Sequence, residues 1–200
     1  MDLNYWEKYY DKHNKPFEPS DFAKYVLKYI NRYDYMIDMG CGNGRDSLFF
    51  AKYDIHVIAM DQCENIINTL NEYNMGTLHP ICGDFTNISL DINLDHAYSR
   101  FTLHSINEED EDKTLHWMKT HIKKYVFIEV RSDMDNLINK NTDHYRRFMN
   151  FENMIIKLIN LKFKIKYAEI SNGFSKYNSV YDVNVNEDDP MLIRIICDNS

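Results

Sequence analysis

The chain has 200 residues, 44% of them hydrophobic and 27% charged, with a formal net charge of -8 at neutral pH. That length suits one domain with a full core and falls short of a catalytic domain plus an ordinary second one. The negative balance argues against a nucleic-acid partner, because such affinity rests on lysines and arginines that displace counterions. The opening Met1-Asp2-Leu3-Asn4-Tyr5-Trp6-Glu7 lacks the basic and apolar regions of a signal peptide. No run approaches the roughly 20 apolar residues that span a bilayer, so a cytoplasmic protein without membrane insertion is expected. Cys41, Cys63, Cys82 and Cys197 are scattered without a C-x-x-C pair, which predicts reduced, buried thiols.

In chain order, residues 1–32 carry Phe22, Tyr25, Val26, Tyr29 and Ile30 at helical spacing after Pro19-Ser20-Asp21, and read as a helical cap. Apolar runs and amphipathic stretches then alternate. The pattern predicts strands over 35–39, 55–61, 79–82, 95–100 and 125–130, and helices over 45–52, 64–73 and 108–122. A further helix carries Phe151, Met154, Ile155, Leu158 and Ile159 on one face. The acidic run Glu108-Glu109-Asp110-Glu111-Asp112 sits at a helix start, where the dipole favours negative charge, and reads as a solvated face. Residues 163–170 and 191–197 are extended and should pair as an antiparallel hairpin at the sheet edge. The fold class is therefore α/β, a Rossmann-like doubly wound sheet of seven strands, mostly parallel and covered by helices on both faces.

The first strand ends in Asp38 and turns through Gly40, Gly42 and Gly44 into a helix starting at Arg45-Asp46-Ser47. Glycines spaced two apart bring bare backbone amides against a ligand. Dinucleotide sites use G-x-G-x-x-G to receive a pyrophosphate. Asp38 would repel a pyrophosphate but suits an ammonium group. Asp61, with Gln62 after it, closes the next strand where an acid accepts both hydroxyls of a ribose. Gly83-Asp84-Phe85 offers a carboxylate for an adenine amino group beside a ring that can stack on it. Three acids, each after an apolar run, point to S-adenosylmethionine as cofactor.

On these residues the chain resembles the class I S-adenosylmethionine-dependent methyltransferases. Residues 38–44 are similar to that superfamily's first motif, Asp61 to its ribose acid, and Gly83-Asp84-Phe85 to its adenine-contacting element. A narrower likeness lies in Tyr98 to Ile106, Glu129-Val130-Arg131-Ser132, Asp143 to Phe148 and Asp189 to Arg194. These are similar to segments of methyltransferases from surface-polysaccharide pathways, which modify sugars or phosphate groups on glycans and their precursors. Trp6, Tyr9, Tyr10, Pro19, Ser20 and Phe22 resemble the opening of that group, where the segment folds over the cofactor. The resemblance implies that Tyr10 and Ser20 reach the cofactor carboxylate, with Arg45 a further candidate, under an aromatic lid; the plain alternative is a helix that merely covers the sheet.

Ligands of open parallel sheets bind beyond the strand carboxyl ends where strand order reverses, and Arg100 falls there with the acids. The acceptor should approach from the same edge, past His104, Glu129, Arg131 and an acceptor-side loop at 131–150. Tyr145, Arg146 and Arg147 in that loop fit recognition of a phosphate or carboxylate, since guanidinium presents a rigid fork; the plain alternative is a solvated helix start. Glu129 and Arg131 share one side of a strand and, alternatively, pair with each other. His144 is the first choice of base for a sugar hydroxyl, ahead of Glu129 and His104; a phosphate acceptor needs none. His104 is equally a packed helix-start histidine. Asp133, Asp135 and Asp143 offer oxygen ligands, yet no compact motif supports a metal, which stays open. The expected reaction is O-methylation of a small anionic acceptor. A protein or nucleic-acid acceptor, or a silent cofactor-binding module, are the alternatives.

Overall fold

A computed structural model of the chain describes residues 2–89, 92–135, 144–172 and 190–200. Seven strands form one sheet: β1 (Tyr35–Met39), β2 (His56–Asp61), β3 (Leu78–Cys82), β4 (Leu94–Arg100), β5 (Ile122–Arg131), β6 (Lys164–Asn172) and β7 (Met191–Asp198). Their order is β3-β2-β1-β4-β5-β7-β6. Strand β1 pairs in parallel with both β2 and β4, so strand order reverses beside it. Strand β7 runs antiparallel to β5 and to β6. The predicted hairpin is present, but its second strand is wedged inside the sheet and β6 takes the edge.

Among the described residues six α-helices flank the sheet: α1 (Leu3–Lys12), α2 (Asp21–Val26), α3 (Arg45–Lys52), α4 (Glu64–Asn71), α5 (Glu108–His121) and α6 (Phe151–Asn160). Side chains of a strand alternate between faces. Ile37 and Met39 therefore enter one core, with Leu115 and Met118 of α5 and Met154 and Leu158 of α6. Met36 enters the other, with Phe22 of α2, Leu48 and Phe50 of α3 and Ile66 of α4. The 1–32 segment holds two helices: Ser20 starts α2 by accepting the Ala23 amide at 3.0 Å, as a cap should. Among the described residues no helix is long and apolar enough to cross a membrane.

Two expectations need correction. Cys82 is exposed, while Cys41, Cys63 and Cys197 are buried, and none forms a disulfide. The acidic run is not wholly solvated: Asn107 caps α5, but Glu111 turns inward and is only 1% exposed. It takes Arg147 at 2.5 Å and Lys157 at 3.0 Å, which offsets the cost of burying its charge.

A row of alternating charge crosses four strands in register. Arg100 of β4 lies opposite Glu129 of β5, Glu129 opposite Arg194 of β7, and Arg194 opposite Glu169 of β6. The ion pairs measure 2.8, 2.7 and 3.5 Å, and Glu129 and Arg194 are fully buried. Glu129 is thus held between two guanidiniums and does not pair with Arg131, which corrects its reading as a base or as Arg131's partner. Removing Glu129 would leave two buried cations facing each other. Glu129→Ala is expected to cost about 3–5 kcal/mol in urea unfolding; a loss below about 1 kcal/mol would show that the row does not hold the sheet.

Candidate cofactor and acceptor site

Beyond the carboxyl ends of β1 and β4 lies a cavity of about 290 Å³. Its floor is the turn between β1 and α3, where the Gly40 and Cys41 amides donate to the Met60 carbonyl at 2.8 and 3.0 Å. Gly40 and Gly42 adopt φ values of 71° and 53°, a region that side chains disfavour. Space agrees with conformation: a Cβ on Gly40 would collide with Thr102, and one on Gly42 with the Tyr10 hydroxyl. Gly44 serves packing instead, since a Cβ there would strike Leu70 of α4.

Three acids face the cavity. Asp61 accepts the Gly42 amide at 2.9 Å and the Cys63 amide at 3.0 Å. Burial pushes its pKa up, against the pull of those amides. Asp38 accepts the Ser47 hydroxyl at 2.5 Å. Burial, aided by Asp46 and Asp61, still pushes its carboxyl up to about 7. Asp46 accepts the Ser20 amide and hydroxyl at 2.7 and 2.8 Å and the Tyr98 hydroxyl at 2.9 Å. Sequence reasoning passed over Asp46 because a first-turn helix acid is ordinarily a solvated partner of the dipole. Thr102 and Ser105, also on the cavity wall, carried no signal.

Two arginines complete the wall. Arg100 is anchored by Glu129 at 2.8 Å and lies 4.0 Å from Asp46. Burial opposes its charge, but these carboxylates outweigh it and raise its pKa. Arg45 donates to the Glu18 carbonyl, while its Nε is buried without a hydrogen-bond partner among the described residues. Burial and nearby Arg100 lower its pKa, so a bound carboxylate would relieve both the orphaned donor and the repulsion.

Of the residues predicted to hold the cofactor, Tyr10, Asp38, Gly40, Arg45, Asp61 and Arg100 line this cavity, while Gly42 and Gly44 shape the turn behind it. The remaining four lie off its wall. Ser20 is spent on Asp46 and on capping α2. Asp84 is exposed and closes its own turn onto the Thr86 amide and hydroxyl at 2.9 and 2.8 Å. Phe85 is buried in the core behind Gly40, and Gln62 is half-buried past Asp61. Trp6 and Tyr9 of α1 also line the cavity.

The acceptor side departs further from expectation. His104 is 2% exposed, and its Nδ1 accepts the Arg131 amide at 3.2 Å. Burial and the surrounding Arg146, Arg131, His144 and Arg147 hold its pKa well below the usual value, and it is packed off the cavity wall, as its reading as a packed histidine had it. Arg147 donates to the Ile106 and Leu103 carbonyls at 2.6 and 3.0 Å and pairs with Glu111, pinning the loop to α5. It is a structural anchor. Arg131 pairs with Asp135 at 3.0 Å. His144 stacks on Tyr5 at 4.3 Å, lies edge-on to Trp6 at 4.9 Å, and accepts an Arg146 N–H at 2.9 Å. That places it off the cavity wall. Tyr145 is 48% exposed. Arg146 Nε is buried without a hydrogen-bond partner among the described residues. Asp133 accepts the Asn150 amide at 2.8 Å, and Asp143 lies outside the described residues. Among the described residues no group of three or more His, Cys, Asp or Glu is disposed to hold a metal ion.

Comparison with known proteins joins this geometry to a family. Residues 36–125 match the model of the methyltransferase domain. No curated protein matches the sequence. Among solved structures, TehB from Haemophilus influenzae superposes with a TM-score of 0.72 at 19% identity, over 98% of this chain and 67% of that one. A SAM-dependent methyltransferase from Methanosarcina mazei does so at 0.70 and 16% identity, over 87% and 96%. The 1,6-didemethyltoxoflavin-N1-methyltransferase of Burkholderia thailandensis, with bound 1,6-didemethyltoxoflavin and S-adenosylhomocysteine, does so at 0.70 and 14%, over 88% and 76%. At these identities the structural likeness shows the fold. The domain match spans β1 to the start of β5, the stretch that carries the glycine turn and its acids, so the chain carries a methyltransferase domain whose cofactor is S-adenosylmethionine.

Proposed function

We propose that the chain methylates an oxygen of a small anionic acceptor, a phosphate or sugar-phosphate group of a glycan or of its nucleotide-linked precursor. Support comes from what each guanidinium near the site already holds. Arg100 and Arg194 share Glu129, Arg131 has Asp135, and Arg147 has Glu111 and two carbonyls. Arg45 and Arg146 each keep a buried Nε without a hydrogen-bond partner among the described residues, although Arg45 Nε lies 3.8 Å from Asp46. Arg45 faces the cavity and suits the methionine carboxylate. Arg146 lies on the acceptor side, where burial and Arg131 lower its pKa, and is the natural ligand for an acceptor's anion. The unsatisfied Arg146 Nε is the observation that carries this reading. Segments similar to those of surface-polysaccharide methyltransferases agree with it.

In the reaction the acceptor oxygen attacks the methyl carbon in line, the carbon–sulfur bond breaks, and sulfur keeps the electron pair as a neutral thioether. The protein supplies mainly alignment. None of the eight histidines lines the cavity, which favours an oxygen already ionised over a sugar hydroxyl that must lose a proton.

Incubation with cofactor and candidate phosphorylated or nucleotide-linked sugars should add one methyl group by mass spectrometry; methylation of neutral acceptors alone would sink the proposal. With that acceptor, Arg146→Ala should raise KM about tenfold or more and leave kcat within about twofold, as loss of one charge-assisted contact implies. Arg147→Ala should lower the melting temperature instead.

Cofactor binding should also depend on pH. A cation beside Asp38 favours its carboxylate, so binding expels a proton from a group whose pKa stands at about 7. Affinity should climb by up to about tenfold per pH unit below that value and level off above it. Calorimetric titration from about pH 6 to 8 checks this, and a flat profile would contradict it. The same raised pKa makes Asp38 a burden on the folded protein as pH rises from the usual carboxylate range through about 7. Asp38→Asn should therefore raise the melting temperature at pH about 8 while weakening cofactor binding.

A further inference from the structure

Helix α1 is lightly held, for none of its 10 residues is buried. Asn65 ties Asp11 at 2.8 Å, and Asn43 of the glycine turn ties the carbonyls of His13 and Lys15 at 3.2 and 2.9 Å. Much of the remaining contact is aromatic. Trp6 stacks on Tyr10 at 6.0 Å, and Tyr10 lies against Gly42. Because Trp6, Tyr9 and Tyr10 line the cavity, a nucleoside filling it supplies the apolar surface that α1 otherwise lacks. From the same helix, Tyr5 and Trp6 hold the His144 ring. A guanidinium can only donate, so the Arg146 N–H at 2.9 Å fixes His144 Nε2 as an acceptor.

We propose that His144 is a positioning residue: it links α1, and through α1 the filling of the cofactor cavity, to Arg146, so that bound cofactor tightens the hold on the acceptor's anion. The link runs through four described side chains, Tyr10, Trp6, His144 and Arg146, and it assigns His144 a task other than proton removal. It rests on the reading of Arg146 as the anion's ligand. Coupling of this kind is reciprocal, so an anion at Arg146 must tighten the cofactor by the same factor.

The chain has two tryptophans, and Trp117→Phe leaves Trp6 as the reporter beside His144. In that background inorganic phosphate is titrated against Trp6 fluorescence with and without saturating S-adenosylhomocysteine. Phosphate should bind at least about fivefold more tightly when the nucleoside is present, the lower end of ordinary coupling. His144→Phe keeps a ring against Tyr5 and Trp6 but loses the acceptor nitrogen. It should bind S-adenosylhomocysteine with unchanged affinity, which shows that it is folded, and reduce the coupling to less than about twofold. Full coupling in His144→Phe would overturn the proposal. Phosphate binding that Arg146→Ala abolishes but that the nucleoside never strengthens would overturn the coupling alone. Absence of any Arg146-dependent phosphate binding would remove the anion reading and the coupling with it.

Discussion

The carboxylate of Asp61 closes the turn after β1 onto the end of β2 by accepting the amides of Gly42 and Cys63. Buried backbone donors need partners, and here one side chain serves two of them from the neighbouring strand. The turn can then keep its glycines in left-handed conformations, with Thr102 and Tyr10 filling the room that side chains would need. The cavity exists because of that closure. Asp61 is therefore both a wall of the cavity and a brace of the loop that forms its floor.

Charge around the site is apportioned unevenly. The row from Arg100 to Glu169 places opposite signs face to face on successive strands, so each buried ion meets a partner without bending the sheet. Burying such pairs is a poor source of stability compared with apolar packing, but breaking one is expensive. What the row does supply is orientation: Arg100 enters the cavity wall already held by Glu129 and near Asp46. Arg45 and Arg146, outside the row, are the guanidiniums whose buried Nε atoms lack hydrogen-bond partners among the described residues, with Arg45 Nε 3.8 Å from Asp46. Hydrogen bonding thus separates arginines satisfied within the fold from those that keep a buried donor open among the described residues.

That division also explains what the sequence could and could not tell. Strands β1, β2, β4 and β5 were legible because both faces are covered, which leaves continuous apolar runs such as residues 55–60. Asp38 and Asp61 were legible because each closes such a run before a turn. The position of β7 was not: a hairpin signal specifies pairing with β6 but not which strand takes the edge. Arg146 and Arg147 are equivalent as letters, yet one donates to His144 and the other is buried against α5 by Glu111, itself hidden in an acidic run that looked solvated. Asp84 and Phe85 fit an adenine contact by order along the chain, but the turn that carries them directs one outward and the other into the core. Partner choice across the fold decides these roles, and no local pattern encodes it.

The acids of the cavity give the reaction a direction as well as a site. S-adenosylmethionine brings two cationic centres, a sulfonium and an ammonium, to a wall holding Asp38, Asp46 and Asp61. Methyl transfer erases the first of them, because sulfur leaves as a neutral thioether. The ammonium, which Asp38 suits, is kept by both nucleosides. Coulombic attraction to these acids should therefore be weaker for the product by one charge, a difference that depends on charge and not on shape. A cavity lined by amides and hydroxyls alone would grip both nucleosides alike and would have to rely on motion to let one go.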